Sequence, residues 1–329
     1  MSEDGQIVPG LVSIVVCAWN NWPDLEMTIE SALHQSYQPI EVIVVDNSST
    51  DATPEEVPRR YAQRLQYIRQ PNRECAGAYN AGFAVARGEF IQFVDGDDVL
   101  APNKIQKQVE VFLANPDLDI VYGDIRSFQT LGGAANWEDL AMRPKDDMLR
   151  SIISEDGLGN TLGVLFHRRA LEKVGPWDER LYTEDVDYWL RAAWAGCRFG
   201  HCPETLMGFK RLRPGSKMEN VSALEHGVEA VLSKTLGYVT REPYRSLAAA
   251  KLARIRFRMA VSRDHMTKRE AFAKLAVARA TSPETISLMA YAIGCATILL
   301  PGGDTLMRSR WPWATRLLLA RLLHYQTPQ

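Results

Sequence analysis

Apolar runs alternate with amphipathic stretches over the first 125 residues, and most of the runs stop abruptly in polar sequence. Leu11-Val12-Ser13-Ile14-Val15-Val16-Cys17 reads as a buried strand that ends at Ala18-Trp19-Asn20-Asn21. Pro23, Asp24 and Glu26 suit the first turn of a helix. Leu25, Ile29, Ala32 and Leu33 give that helix one apolar stripe, and it stops before Pro39. Residues 40–45 predict a second strand closed by Asp46-Asn47-Ser48-Ser49, and residues 50–55 offer capping groups for another helix. Residues 65–68 predict a short third strand. Residues 77–86 predict a helix of small side chains that can lie close on a sheet. The run 90–94 predicts a fourth strand, broken off at Asp95-Gly96-Asp97-Asp98. A helix over 103–115, with Ile105, Val109, Phe112 and Leu113 on one face, precedes a strand at 120–122 closed by Gly123-Asp124.

Strand and helix alternating at this spacing imply an α/β fold, a mostly parallel sheet with helices on both faces. Ligands of such sheets bind at the carboxyl edge of the strands. The tips Trp19-Asn20, Asp46-Asn47 and 95–98 would then converge on one crevice. Beyond it the pattern loosens. Residues 126–160, with Gly132-Gly133, read as loops around a site, and 163–166 as a strand. Thr183 can cap a helix over 184–195, buried through Val186, Leu190 and Ala193 with Trp189 beside it, which sets Asp185 in the first turn. Residues 199–207 read as extended and 209–217 as a basic loop, whose four cations either neutralise a diphosphate or form a solvated surface. After Val221 the chain is mostly helical, with stripes at Leu252, Ile255, Met259 and at Phe272, Leu275, Ala276. The division expected is a catalytic domain over 1–222 and a basic helical region over 223–329.

Charge sharpens that division. The chain has 329 residues and a net charge of -2, yet residues 241–329 hold 15 Lys+Arg against 5 Asp+Glu. An acidic body therefore carries a basic tail, whose last helix, 311–323, is amphipathic, with Arg316 and Arg321 (and Arg308 and Arg310 just before it) against Trp, Leu and Ala. That tail either lies on an anionic membrane surface or docks on the body. Five cysteines without Cys-x-x-Cys spacing fit reduced thiols in a cytosolic protein. The acidic N-terminus lacks an apolar signal region, and the best apolar run, 286–300, falls short of a spanning helix. Localisation is expected to be cytoplasmic, with peripheral contact at the inner membrane face as the membrane alternative. No nucleic-acid partner is expected.

The chemistry concentrates in the acids. Asp95, Asp97 and Asp98 around one Gly repel one another unless a cation or hydrogen-bond donors neutralise them. Hard oxygen ligands suit Mg²⁺ or Mn²⁺, which also bind substrate phosphates. A turn is the plain alternative. An EF-hand loop fails, because the twelfth position from Asp95 is Gln106. No G-x-G-x-x-G follows a strand at 77–82, which disfavours a dinucleotide oxidoreductase. Glu184, Asp185 and Asp187 exceed what a helix dipole alone requires at an N-terminus.

Four of these stretches occur in a telling order: Val12-Ser13-Ile14-Val15-Val16-Cys17-Ala18-Trp19-Asn20, Val44-Val45-Asp46-Asn47-Ser48-Ser49-Thr50-Asp51, the run from Gly88 to Asp98, and Glu184-Asp185. Together, over roughly residues 11–220, they resemble the family 2 glycosyltransferases of GT-A fold. The resemblance implies a nucleotide-sugar donor, a Mg²⁺ or Mn²⁺ ion, inversion at the anomeric carbon, and a glycan or lipid-linked acceptor in envelope polysaccharide synthesis. By motif, Cys17 and Trp19 fall where the first strand meets the nucleotide. Asn47 falls where many members carry an Asp that accepts from the base, Asp95 beside the ribose with Gly96, and Asp97 at the metal with Asp98 in support. Asp185 matches the catalytic base, with Glu184 on the acceptor side. Asn80 belongs to the donor site, but Ala78-Tyr79-Asn80 stands where the family often has Ala-Arg-Asn. Lys210-Arg211-Leu212-Arg213 puts Arg at a position often His. Arg cannot ligate a metal, so Arg211 and Arg213 would pair with the diphosphate. A metal-dependent nucleotidyltransferase and a silent nucleotide-sugar-binding module are the rival readings.

Overall fold

The computed structural model describes residues 6–128, 138–140, 146–155, 158, 161–212, 216–262 and 266–299. The chain divides into two compact units, residues 1–148 with 156–216, and residues 149–155 with 217–329.

The first unit opens with β1 (Val8–Ala18), α1 (Asp24–Leu33), β2 (Ile40–Asp46), α2 (Thr53–Tyr61), β3 (Gln66–Arg69), α3 (Glu74–Val85) and β4 (Gly88–Asp95). It continues through β5 (Val99–Leu100), α4 (Lys104–Ala114), β6 (Ile120–Phe128) and β7 (Glu138–Leu140). The helix α5 (Met148–Glu155) belongs almost entirely to the second unit, and the first closes with β8 (Val164–His167), α6 (Arg168–Val174), α7 (Glu184–Trp194) and β9 (Phe199–Arg211). One sheet holds these strands in the order β3-β2-β1-β4-β8-β6-β9-β5, with β7 on β6. Adjacent pairs among β1 to β4 are parallel, as are β6 and β9, and β8 inserts antiparallel between β4 and β6. Six strands thus run one way, and β5, β7 and β8 the other. The carboxyl ends of β1, β2, β4 and β9 therefore share one edge, with Cys17 in register beside both Val45 and Asp95.

Burial on both faces explains the unbroken apolar runs. Every residue of β1 from Leu11 to Ala18 is buried. Helix α3 approaches this strand closely because it is built of small residues: a Cβ on Gly82 would lie 2.2 Å from Val15 Cγ1. An aromatic floor packs α7 and the 175–178 turn onto β4 and β8. Trp177 stacks on Tyr188 at 4.0 Å, Phe166 on Trp189 at 5.6 Å, and Phe93 meets Trp177 edge-on at 5.5 Å.

Several expectations change. The stretch 126–160 is not all loop: β6 runs on to Phe128, and β7 and α5 follow. Gly123 does not close its strand. Thr183 precedes α7 without a side-chain cap bond, and its hydroxyl has no hydrogen-bond partner. The segment read as a basic loop begins as strand, since β9 extends through Lys210 and Arg211. Gly132-Gly133, Arg213 and the amphipathic stretch 311–323 lie outside the described residues.

The second unit contains α8 (Val221–Tyr238), α9 (Tyr244–Ser262), α10 (Lys268–Thr281) and α11 (Leu288–Leu299). Phe257, Leu275, Ala278 and Ile298 are among its core residues. One carboxylate ties three of its helices: Glu229 of α8 accepts from Arg256 Nε of α9 at 2.9 Å and Lys274 Nζ of α10 at 2.6 Å. Among the described residues no helix is long and apolar enough to cross a membrane.

Filling the α3–β1 contact tests the packing. Gly82→Ala should lower the unfolding free energy by about 1–3 kcal/mol through overpacking against the fully buried Val15. A shifted denaturant midpoint with an unchanged slope is the expected readout, and an unchanged midpoint would show that the sheet yields there.

Candidate active site

The shared strand edge concentrates unusual chemistry. Among the described residues, the non-glycine positions with positive φ are Asn20 (48°) after β1, Ser48 (60°) after β2 and Glu74 (56°) at the start of α3. Such backbone costs of order 1–3 kcal/mol each and persists where the surroundings over-determine it. Here cross-links do so: Asn20 N–H donates to Ser49 Oγ at 3.0 Å, and Asn20 Oδ1 accepts from Thr50 N–H at 2.7 Å.

The turn after β4 is held from three sides. Gly96 N–H donates to Cys17 O at 2.8 Å, and a Cβ on Gly96 would lie 2.8 Å from that same oxygen. Thr28 Oγ1 of α1 donates to Asp98 O at 2.7 Å. The chain then enters β5, which pairs with β9 so that Val99 faces Phe209. That register sets the next residue of β9, Lys210, against Asp98. Lys210 Nζ lies 3.8 Å from Asp98 Oδ2, and Asp98 Oδ1 accepts from Arg211 N–H at 2.9 Å. Two unit charges at about 4 Å attract by roughly 4 kcal/mol at an effective dielectric near 20.

Lys210 faces more than one acid. Burial alone would push its ammonium down, but the carboxylates of Asp98, Asp95, Asp97 and Asp185 outweigh burial and raise it. The same charges act in reverse on Asp98. Burial pushes its carboxyl up to about 7, Asp95 and Asp97 add to the rise, and Lys210 opposes it. Asp185, in the first turn of α7, is likewise raised by burial and opposed by its hydrogen bond from Val186 N–H (2.8 Å) and by Lys210. Residues 90 positions apart thus meet around one ammonium.

A divalent cation suits this setting. Asp98 Oδ2 is buried and accepts no hydrogen bond, so it offers a hard oxygen to a cation. Among the described residues no three side chains form a ligand cluster by themselves. A Mg²⁺ or Mn²⁺ ion would rely on Asp97, Asp98, water and substrate oxygens, as Mg²⁺ commonly does.

The other expected residues fall into two groups. Trp19 stands at the tip of β1 with 52% of its surface exposed, a free platform at the crevice. Cys17 is buried there, 3.7 Å from Asn47 Nδ2. Asn47 is committed on both sides, donating to Glu74 O at 3.0 Å and accepting from Gln70 Nε2 at 2.8 Å, although its oxygen keeps a second lone pair. Cys75 lies between Cys17, Asp95 and Glu184. Its hydrogen bond with Cys17, burial and those charges all push the thiol up, which disfavours the thiolate. Asn80, Arg211 and Asp187 also make contacts within the frame. Asn80 grips Trp177 N–H and O and Glu179. Arg211 pairs with Asp24 of α1. Asp187 is buried against Arg191 Nε at 2.8 Å. Two further residues stand beside the expected acids. One is Lys210, among the cations of the 209–217 segment. The other is Tyr79, whose buried hydroxyl donates to Asp95 Oδ1 at 2.6 Å and touches Thr161 Oγ1 at 3.2 Å. Alternation along a strand would have separated Lys210 from Arg211 had β9 been read through residue 211.

A sequence model of the family "Glycosyl transferase family 2" matches residues 13–175. The succinoglycan biosynthesis protein ExoO of Rhizobium meliloti is 32% identical over 253 residues, covering 72% of this chain and 70% of that protein. Other curated relatives are spanned less fully, over 54% and 31% of their own length in two uncharacterised glycosyltransferases. Among solved structures, S. aureus TarS in complex with UDP-GlcNAc superposes with a TM-score of 0.63 at 16% identity, over 90% of this chain and 91% of that one. The mannosyltransferase PcManGT of Pyrobaculum calidifontis, in complex with GDP-Man and Mn²⁺, gives 0.57 at 21% identity, over 96% and 88%. These structural likenesses show the shared GT-A fold.

The Tyr79–Asp95 bond is open to test by stability. Tyr79→Phe keeps the ring in its aromatic setting and removes one donor to a carboxylate, so unfolding at pH 8 should become easier by about 1–3 kcal/mol. An unchanged denaturant midpoint would mean that Asp95 is held by other donors.

Proposed function

The chain belongs to glycosyl transferase family 2, and from that premise we propose that it is an inverting glycosyltransferase. It moves a sugar from a nucleoside diphosphate donor to a hydroxyl of a glycan or lipid-linked acceptor in polysaccharide synthesis. One observation carries this reading: Lys210 stands 3.8 Å from Asp98 at the β4 tip, and the charges of Asp95, Asp97 and of Asp185 from α7 act on the same ammonium, which supports a base and a diphosphate site close together. The name of the ExoO relative supports the polysaccharide setting, and the sugar nucleotides named with the two solved structures support the donor class.

The chemistry follows from these side chains. The exposed indole of Trp19 offers a stacking face for the base. Asp95, oriented by Tyr79, presents an acceptor oxygen suited to a ribose hydroxyl. Asp97 and Asp98 would hold Mg²⁺ or Mn²⁺, which when bound neutralises charge building on the departing diphosphate. Asp185 takes the proton of the acceptor hydroxyl as the new C–O bond forms at the anomeric carbon, and the diphosphate leaves with the electron pair of the broken bond. Attack opposite the leaving group inverts the centre. Glu184, next to Asp185, is assigned to the acceptor side.

Asp185→Asn is the direct test. Removing a general base should lower turnover by about 10²–10⁴, while calorimetric binding of the donor nucleotide stays unchanged. Equal loss of both would make Asp185 a structural residue. Because burial raises the Asp185 carboxyl, activity should fall with decreasing pH at a value above the usual Asp pKa of about 3.9. Below that limb the base is protonated and silent. A kcat/KM profile that stays flat down to the ordinary Asp range would contradict the role.

A further inference from the structure

Lys210 has no part in the mechanism above, yet it is the cation set against Asp98 and Asp185. It is not a loop residue free to wander. Phe209, one position before it, is paired with Val99, and the next residue, Arg211, binds Asp98 through its backbone. Its side chain is 19% exposed, and Nζ stands 3.8 Å from Asp98 Oδ2. That separation is longer than a hydrogen bond, so the pair attracts by charge without being locked. An ammonium on a four-carbon stem can turn its donors to a new acceptor nearby. The neighbouring Arg211 is drawn instead to Asp24 of α1, although its Nε and one terminal nitrogen make no hydrogen bond.

Charge balance makes the consequence concrete. Asp98 lies 3.8 Å from this ammonium, and the charges of Asp95, Asp97 and Asp185 also act on it. A diphosphate entering their field is repelled unless positive charge is already there, and a single divalent ion leaves the ionised cluster negative. We infer that Lys210 is the chain's own counter-ion for the donor: its ammonium neutralises the acid cluster before binding and turns onto the diphosphate oxygens when the donor arrives, so that part of the donor affinity needs no divalent metal. This inference rests on the glycosyltransferase reading and adds to it a specific cation from the protein.

Calorimetric titration with UDP and GDP, each in EDTA and in Mn²⁺, separates the possibilities. The wild type should bind one of them in EDTA. Lys210→Met should weaken that binding by about tenfold or more, the worth of one charge-assisted contact, and Lys210→Arg should restore most of it. If Lys210→Met does not fold, Lys210→Met with Asp98→Asn keeps the local charge balanced and should bind about tenfold or more weakly in EDTA than Asp98→Asn alone. Binding by the methionine variant equal to wild type in EDTA would overturn the inference and leave the proposed function standing, as would wild-type binding seen only with Mn²⁺. Failure of the wild type to bind either nucleotide under both conditions would overturn the proposed function and this inference together.

Discussion

One ammonium among carboxylates governs the architecture of the crevice. Asp95, Asp97 and Asp98 leave β4 together, and Asp185 arrives from α7; the charge of Lys210 offsets their mutual repulsion. The fold supplies the lysine by a short device. Two residues of β5 suffice to pair the acid turn with β9, and their register sets Lys210 against Asp98. The arrangement is poised, not neutral. Asp98 is pushed up to about 7, and one of its oxygens accepts no hydrogen bond. A group held so is suited to a ligand that brings positive charge, as catalytic sites commonly are.

Around that centre the structure divides labour between neighbouring side chains of similar chemistry. At the start of α7, Asp185 turns toward the acids and Asp187 is spent on Arg191. At the end of β9, Lys210 faces the cluster and Arg211 anchors α1. In α3, Tyr79 reaches Asp95, while Asn80 straps the helix to Trp177. In each pair one residue holds the frame and the other stands at the crevice. The aromatic floor beneath them, from Phe93 through Trp177 to Trp189, fixes α7 to the sheet and so fixes where Asp185 can stand.

Much of this could be read from the chain alone, for physical reasons. Parallel strands are buried on both faces, so β1, β2 and β4 appear as apolar runs, and their polar stops mark the ligand edge. The acids were visible because clustered charge is conspicuous. What escaped reading depended on long-range pairing. Lys210 and Asp98 are 112 positions apart, and only the β5–β9 register joins them. Tyr79 was seen as a departure from a family pattern, but its hydroxyl gains meaning only when α3 is laid on β4. The cations at 210 and 211 read as part of a loop because charge on both faces hides the strand alternation there. Thr183 looked like a helix cap from composition, yet its hydroxyl makes no such bond.

The account is tested most directly by anomalous diffraction from crystals of the protein soaked with Mn²⁺ and UDP. It predicts a manganese peak bonded to Asp97 or Asp98, the diphosphate between that ion and the Lys210 ammonium, and the base against Trp19. Manganese bound elsewhere, or a nucleotide seated away from the β1 and β4 tips, would contradict it.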